Sequence, residues 1–363
     1  MKKGISTAVL LSALLLLTLA AVFLLQCFLG GMLFDWNYRE PLLFLACLFA
    51  GMVLLGIFRI IELLEQRERE VVFMRSVTVL APAKLNLTLD VTGTRPDGYH
   101  TLDMIMQAVS LRERVTLRRS RGLSLSLPGS RVPANEHNTA YKAALAFFHG
   151  TGLLAGAAIT VEKHVPVRAG MAGGSADAAA VLVGLNELYG ARLSAAELCA
   201  LGAQVGADVP FSIVGGTARV TGVGDILEPL KPCPPCFFTV CMPAGGISTP
   251  QAYARYDRIG TDVRPDSAAA AAAIARGDLA GLCAQMKNAL EYSSASAATK
   301  PICETLRAHG ALAALMTGSG AAVFGVFADE APAQAAKAAL LRVYPQCWVL
   351  RPEAKGARVV GRG

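Results

Sequence analysis

The sequence predicts an α+β protein of two lobes, preceded by a hairpin of two apolar transmembrane helices. Three observations carry that expectation. Two long uncharged runs, Gly4 to Phe34 and Pro41 to Phe58, open the chain. After Met74, strand-like and helix-like stretches follow without the regular βαβ alternation of a doubly wound sheet. A Pro/Cys-rich stretch, Lys231 to Cys236, then breaks the pattern around Pro232. The expected division is therefore a hairpin and juxtamembrane segment over 1–73, an N-terminal domain over 74–232 and a C-terminal domain over 233–363. A chain of 363 residues has room for two globular units, and 53% hydrophobic with 17% charged residues excludes a disordered one.

The hairpin comes first. A membrane-spanning helix needs about 20 apolar residues, because each backbone polar group must be satisfied within its own helix. The expected helices cover about 5–32 and 41–61, and Trp36 and Tyr38 between them suit a membrane–water interface. A cleaved signal peptide is the alternative, since Lys2 and Lys3 precede the first run. Its apolar core should span only ~7–15 residues, and no second run should follow. Lys2 and Lys3 at one end, with Arg59, Arg67 and Arg69 at the other, place both ends in the cytoplasm. That places the rest of the chain in the cytoplasm, anchored to the cell membrane, with the lipid bilayer as a partner.

Residues 1–73 carry six basic side chains (Lys2, Lys3, Arg39, Arg59, Arg67, Arg69) and six acidic ones (Asp35, Glu40, Glu62, Glu65, Glu68, Glu70), so the whole net charge of +7 belongs to residues 74–363. A moderately basic part suits anionic ligands or an anionic leaflet. Without a dense Lys/Arg run, nucleic acid is not the expected partner. The nine cysteines are irregularly spaced, which speaks for reduced thiols. Cys233 and Cys236 have metal-ligand spacing, but no second pair follows.

Beyond Met74, Arg75 to Gly93 alternates and is rich in β-branched residues, which predicts strands around a break at Pro82. Val109 to Ser120 and Gly122 to Gly129 continue as strands. Asn138 to His149 reads as a helix, Ala157 to Val167 as a strand, and Ser175 to Tyr189 as a helix stopped by Gly190. Ser194 with Glu197 three residues later forms a capping box. Gly216 to Leu230 is a hairpin, and Phe237 to Met242 a strand. Ser267 to Ala275 is a surface helix capped by Asp266 or Ser267. Ala314 to Phe327 reads as strand–turn–strand, and a final helix and strand close the chain.

Four segments could carry chemistry. In Pro166 to Gly190 a strand runs into Gly170, Gly173 and Gly174, then Ser175 and an Ala-rich helix. Such a turn lets backbone N–H groups and a helix N-terminus face an anion, and it also suits plain close packing. It is neither a Walker A nor a dinucleotide-binding fingerprint. Lys84 and Asn86 share one face of a strand, where Lys84 either snorkels to water or faces a site. Pro96-Asp97-Gly98 makes a turn that delivers Tyr99 and His100. Asp208, directly before Val209-Pro210-Phe211, either caps a turn or needs a cationic partner, for which Lys84 is the candidate.

In this order, with a late Thr317-Gly-Ser-Gly320 turn, these segments resemble the GHMP small-molecule kinases. Within them the resemblance is closest to the branch that acts on 4-diphosphocytidyl-2-C-methyl-D-erythritol in non-mevalonate isoprenoid precursor synthesis. It covers the chain from about Arg75 onward and leaves the hairpin outside. The resemblance implies a two-lobed kinase fold, ATP with Mg²⁺, and a cytidyl-linked sugar-alcohol substrate phosphorylated on its 2-hydroxyl. It implies that Lys84 and Asp208 are catalytic. Pro166, Val167, Arg168, Ala169, Gly170, Met171, Ala172, Gly173, Gly174, Ser175 and Ala176 would form the ATP-phosphate loop, with Asn138 near adenine. Asn86, Tyr99, His100 and Tyr253 would hold the cytidyl substrate, Tyr253 by stacking on cytosine, and Ser175 would face Mg²⁺. Ala169 and Ala172 stand where many members carry glycine, and Ala176 where a second hydroxyl is frequent. Other GHMP kinases, acting on mevalonate derivatives, homoserine or sugars, and a catalytically silent membrane-anchored nucleotide-binding protein are the alternatives.

Overall fold

The computed structural model describes residues 75–363 apart from 295, together with isolated helical residues between 52 and 60. The expected hairpin lies almost entirely outside the described residues. Among those described, no helix is long and apolar enough to cross a membrane. The chain divides into two units, 1–73 and 74–363.

Two sheets organise the second unit. Strand β1 (Ser76–Thr94) and β2 (His100–Ser120) form a long antiparallel ribbon at the centre of the larger sheet. The break expected at Pro82 is instead an irregularity in one continuous strand, with the register to β2 shifting between Pro82 and Ala83. Proline lacks a ladder donor, and a bulge absorbs that loss without ending the strand. β2 then splits its partners. Leu102 to Gln107 pairs with β5 (Thr217–Gly222), while Arg114 to Ser120 pairs with β4 (Gly156–Glu162). The short β3 (Ser124–Ser126) and β6 (Ile226–Pro229) complete those two branches.

Helix α1 (Thr139–Thr151) and helix α2 (Gly173–Tyr189) pack on one face of this sheet. α2 is buried almost all round, from Ala176 to Leu182 and again at Gly184, Leu185 and Leu188. A helix apolar on every side must sit inside a protein. Gly184 permits its approach, since a Cβ there would meet Leu117 Cδ1 at 2.3 Å. α3 (Ala195–Ala203) begins with the expected capping box of Ser194 and Glu197, and α4 (Val209–Val214) is a six-residue helix packed beside α2.

The smaller sheet has the order β10-β7-β9-β8, built from β7 (Phe237–Met242), β8 (Ala313–Met316), β9 (Val323–Phe327) and β10 (Gln346–Leu350). Helices α5 (Thr249–Ile259), α6 (Ser267–Arg276), α7 (Leu279–Gln285), α8 (Ala289–Ser294), α9 (Thr299–Ala308) and α10 (Glu330–Leu340) accompany it; α9 and α10 pack on the smaller sheet, whereas α6 and α8 reach the central ribbon of the larger one. α6 has the expected Asp266 cap, but it is more than a surface helix, because Ala270, Ala273 and Ile274 are buried. One apolar cluster joins Leu85, Leu87 and Ile105 of the larger sheet to Phe238, Val240 and Phe324 of the smaller. β11 (Arg358–Arg362) then returns the chain to the larger sheet beside β1.

Candidate active site

The strand β1 places Lys84 and Asn86 on one face, and the Lys84 ammonium donates to Asn86 Oδ1. Lys84 is only 5% exposed, a rare state for lysine unless a partner is present. That partner is Asp208, whose Oδ2 lies 3.7 Å from Lys84 Nζ. Asp208 precedes α4 and its backbone carbonyl accepts from the backbone N–H and hydroxyl of Ser212, but its side chain caps nothing. A separation longer than a direct hydrogen bond leaves both groups able to face a third.

The glycine segment lies against this pair. Met171 accepts the Lys84 backbone N–H at 3.2 Å, and the carbonyls of Arg168 and Ala169 accept from Ala321 and Ala322, each at 3.2 Å. Left-handed backbone recurs along the segment, at Arg168 (φ 55°), Gly170 (φ 75°) and Ala172 (φ 57°). Non-glycine residues held there are strained, and such strain concentrates at binding sites. Ala172 starts α2 without any side-chain cap, so the first N–H groups and the helix dipole stay available to an anion. The second turn, Thr317 to Gly320, closes the other side. Thr317 Oγ1 accepts the Asn86 backbone N–H at 3.0 Å, and Ser319 Oγ lies 3.0 Å from Thr249 Oγ1.

These pieces line a single cavity of about 620 Å³. Its walls include Lys84, Asn86, Asp208, the whole of Pro166 to Ser175, Asn138 and Tyr253. Ala176 is fully buried beneath, and the exposed Val167 forms part of the rim. Asn138 caps α1, accepting from Ala140 and donating to Pro133, so it shapes the wall through backbone rather than by presenting a free amide. Tyr253 stacks on His100 with ring centroids 4.6 Å apart, and His100 Nε2 meets Asp257 at 2.7 Å. Burial, and then the nearby Asp208 carboxylate, push the Tyr253 phenol well above its ordinary range. Tyr99 stands apart, 66% exposed and outside the cavity wall.

Sequence reasoning missed a buried charge cluster under the glycine segment. Lys163 bonds Glu113 Oε1 and, at 2.8 Å, Asp177 Oδ2. Glu113 also accepts the backbone N–H groups of His164 at 2.7 Å and Val165 at 3.3 Å, which ties the end of β4 to β2. Burial drives Asp177 up to about 7, the Lys163 charge opposing this and the Glu113 charge adding to it. Burial works to lower Lys163, but the two carboxylates outweigh it and hold the amine above its usual range. Glu113 was visible in principle, since it lies in phase with the buried Val115 and Leu117 of β2. Asn288, also missed, donates to the carbonyls of Met316 at 2.9 Å and Gly318 at 2.8 Å, and so holds the second turn.

A buried amine–carboxylate pair beside an uncapped helix N-terminus suits a small-molecule phosphotransferase, and the chain is one of the GHMP class. The sequence agrees: residues 138–216 match the GHMP kinases N terminal domain and 270–346 the GHMP kinases C terminal domain. More narrowly, the chain belongs to the 4-diphosphocytidyl-2-C-methyl-D-erythritol kinase family. It is 42% identical over 283 residues to the kinase of that name from Pelotomaculum thermopropionicum, covering 76% of this chain and 97% of the relative. The corresponding protein of Alkaliphilus metalliredigens is 38% identical, covering 75% and 95%. A crystal structure of 4-(cytidine 5'-diphospho)-2C-methyl-D-erythritol kinase superposes with a TM-score of 0.64 at 34% identity, over 76% of this chain and all of that one. Homoserine kinase from Cytophaga hutchinsonii shares the fold at 19% identity, with a TM-score of 0.65 over 79% of this chain and 98% of its own.

Proposed function

We propose that this enzyme transfers the γ-phosphoryl group of ATP to the 2-hydroxyl of 4-diphosphocytidyl-2-C-methyl-D-erythritol, a step of non-mevalonate isoprenoid precursor synthesis. The observation that carries the reading is the Lys84–Asp208 pair, 3.7 Å apart in a cavity that also contains the glycine segment. Phosphoryl transfer depends chiefly on positioning and on stabilising charge, and needs little covalent help from the protein.

Asp208 accepts the proton of the substrate hydroxyl as its oxygen attacks phosphorus. Lys84, held by Asn86, orients that oxygen and offsets the charge that develops. The N–H groups from Gly170 to Ser175 and the start of α2 hold the triphosphate, with Asn138 shaping the adenine end and ADP as the leaving group. Tyr253, backed by His100, offers an aromatic face to cytosine; Tyr99, outside the cavity wall, is given no part in holding it. The oxygen donors at the first turns of α2, the Ser175 hydroxyl and the orphaned Asp177 Oδ1, fit a hard cation such as Mg²⁺. Mg²⁺ bound with the nucleotide supplies charge neutralisation.

The two uncharged runs ahead of Met74 support attachment of this catalytic part to a bilayer on the cytoplasmic face; its lobes do not divide cleanly at 232/233 as the sequence predicts, because β11 returns to the sheet of the first lobe. Membrane fractionation of the native protein checks the attachment; recovery wholly in the soluble fraction contradicts it. For the activity itself, the full chain is assayed for ADP release against cytidyl-methylerythritol, mevalonate and homoserine. Turnover confined to the first is expected, and turnover of mevalonate or homoserine in its place refutes the reading.

A further inference from the structure

We propose that Asp177 supplies the carboxylate ligand for a divalent cation that enters the cavity with the nucleotide. The inference rests on the reading of the glycine segment as an ATP-phosphate site.

It starts from a charge count. Glu113 is fully buried, and its two oxygens accept from the Lys163 ammonium and from the backbone N–H groups of His164 and Val165. The single charge of Lys163 is thereby matched. Asp177 shares the same ammonium through Oδ2 at 2.8 Å, and one ammonium does not balance two carboxylates. Asp177 is 3% exposed, yet its second oxygen, Oδ1, has no hydrogen-bond partner at all. An orphaned buried carboxylate oxygen is costly.

Two ordinary explanations fail. A structural ion pair accounts for Oδ2 and leaves Oδ1 unexplained. A helix cap would bring an oxygen onto the first N–H groups of α2, but that helix has no side-chain cap. The placement supplies a third. Asp177 and Lys163 line the cavity beside Gly173, Gly174 and Ser175, whereas Glu113 is sealed behind them. A bare anion at that spot would repel the phosphates that the helix N-terminus attracts. A small hard cation reverses the sign of the contact. Mg²⁺ is usually held by one or two carboxylates together with phosphate oxygens and water, and Asp177, which lines the cavity, carries a buried carboxylate oxygen without a partner that a small rotation of the group would turn to the ion.

The test uses the full chain and a non-hydrolysable ATP analogue, titrated calorimetrically without metal and with Mn²⁺. In the wild type, Mn²⁺ should tighten analogue binding by roughly tenfold or more, about 1.4 kcal/mol per decade. In Asp177→Asn that gain should fall below about threefold, while metal-free affinity holds or improves because a repulsive charge has gone. Analogue binding with an undiminished Mn²⁺ gain in Asp177→Asn overturns the cation assignment alone. No analogue binding in either condition overturns the nucleotide reading, and this inference with it. Should the variant fail to fold, wild-type protein labelled with ¹³C at aspartate carboxyls decides. Electron–nuclear double resonance of its Mn²⁺–analogue complex should show coupling to the carbon of a carboxylate coordinated through oxygen, which Asp208→Asn retains. Absence of that coupling refutes the proposal.

Discussion

Gly170→Ala probes the cradle where it is tightest. Gly170 has φ +75°, and a Cβ there would meet the Thr317 carbonyl oxygen at 2.1 Å, its carbon at 3.0 Å and Gly320 N at 3.1 Å. Left-handed backbone costs an L-residue roughly 1–2 kcal/mol before any contact is counted. The contact itself is with backbone, which no rotamer change relieves. Since ordinary van der Waals contact begins at 3.4 Å, one turn must retreat from the other by about 1 Å, a displacement that costs on the order of 100-fold in rate when it misplaces reacting groups. The Thr317 turn also holds Asn86 through its hydroxyl, so the disturbance reaches both the glycine segment and the strand that carries Lys84. An ADP-release assay should therefore show kcat/KM down by about 100-fold, or ~2.7 kcal/mol, with the loss divided between kcat and the KM for ATP. Thermal unfolding should fall by several degrees. A Gly170→Ala enzyme within about threefold of wild type would refute the reasoning, because the two turns would then not be packed as described.

Two further outcomes follow from the surroundings. Tyr253→Leu removes the ring proposed to stack on cytosine and should raise the KM for that substrate by roughly tenfold, given ~1–3 kcal/mol for a base stacked on an aromatic side chain. The KM for ATP should stay put, and an equal rise in both would contradict the assignment. Glu291 accepts the Met316 N–H at 2.7 Å behind the second turn, and burial raises its pKa despite that bond and the nearby Arg307. A carboxyl raised in the folded state binds its proton more tightly there than in the unfolded chain, so its contribution is most favourable at low pH and is lost as pH rises through the folded value. Glu291→Gln should accordingly gain thermal stability relative to wild type as pH goes from 4.5 upward, measured by calorimetry; a difference flat with pH would contradict it.

Local signals carried the fold well. The Ser194–Glu197 capping box, the Gly190 stop and the β5–β6 hairpin all depend on neighbours in sequence, and each appears in place. Pro82 misled because a missing donor predicts an interruption, whereas a bulge on a long ribbon tolerates it. For the site, Lys84 and Asn86 were legible from strand alternation, and a cationic partner was the natural expectation for Asp208. Their meeting was not legible, since it depends on how α4 packs against β1. Lys163, Asp177 and Asn288 were missed for the same reason. Each gains its meaning from a residue at least 14 positions away, Asp177 from Lys163 and Asn288 from Met316. His100 and Tyr253 each drew notice, but their stacking joins β2 to α5 across 153 residues of chain.

The central claim is that Asp208 takes the hydroxyl proton while the neighbouring cradle holds ATP independently of it. Asp208→Asn keeps size and shape and removes only the base. Turnover of the cytidyl substrate, measured by ADP release, should fall by roughly 10²–10⁴. Nucleotide affinity measured on the same sample should remain within about twofold of wild type. Retained turnover, or loss of nucleotide binding together with activity, would contradict the account.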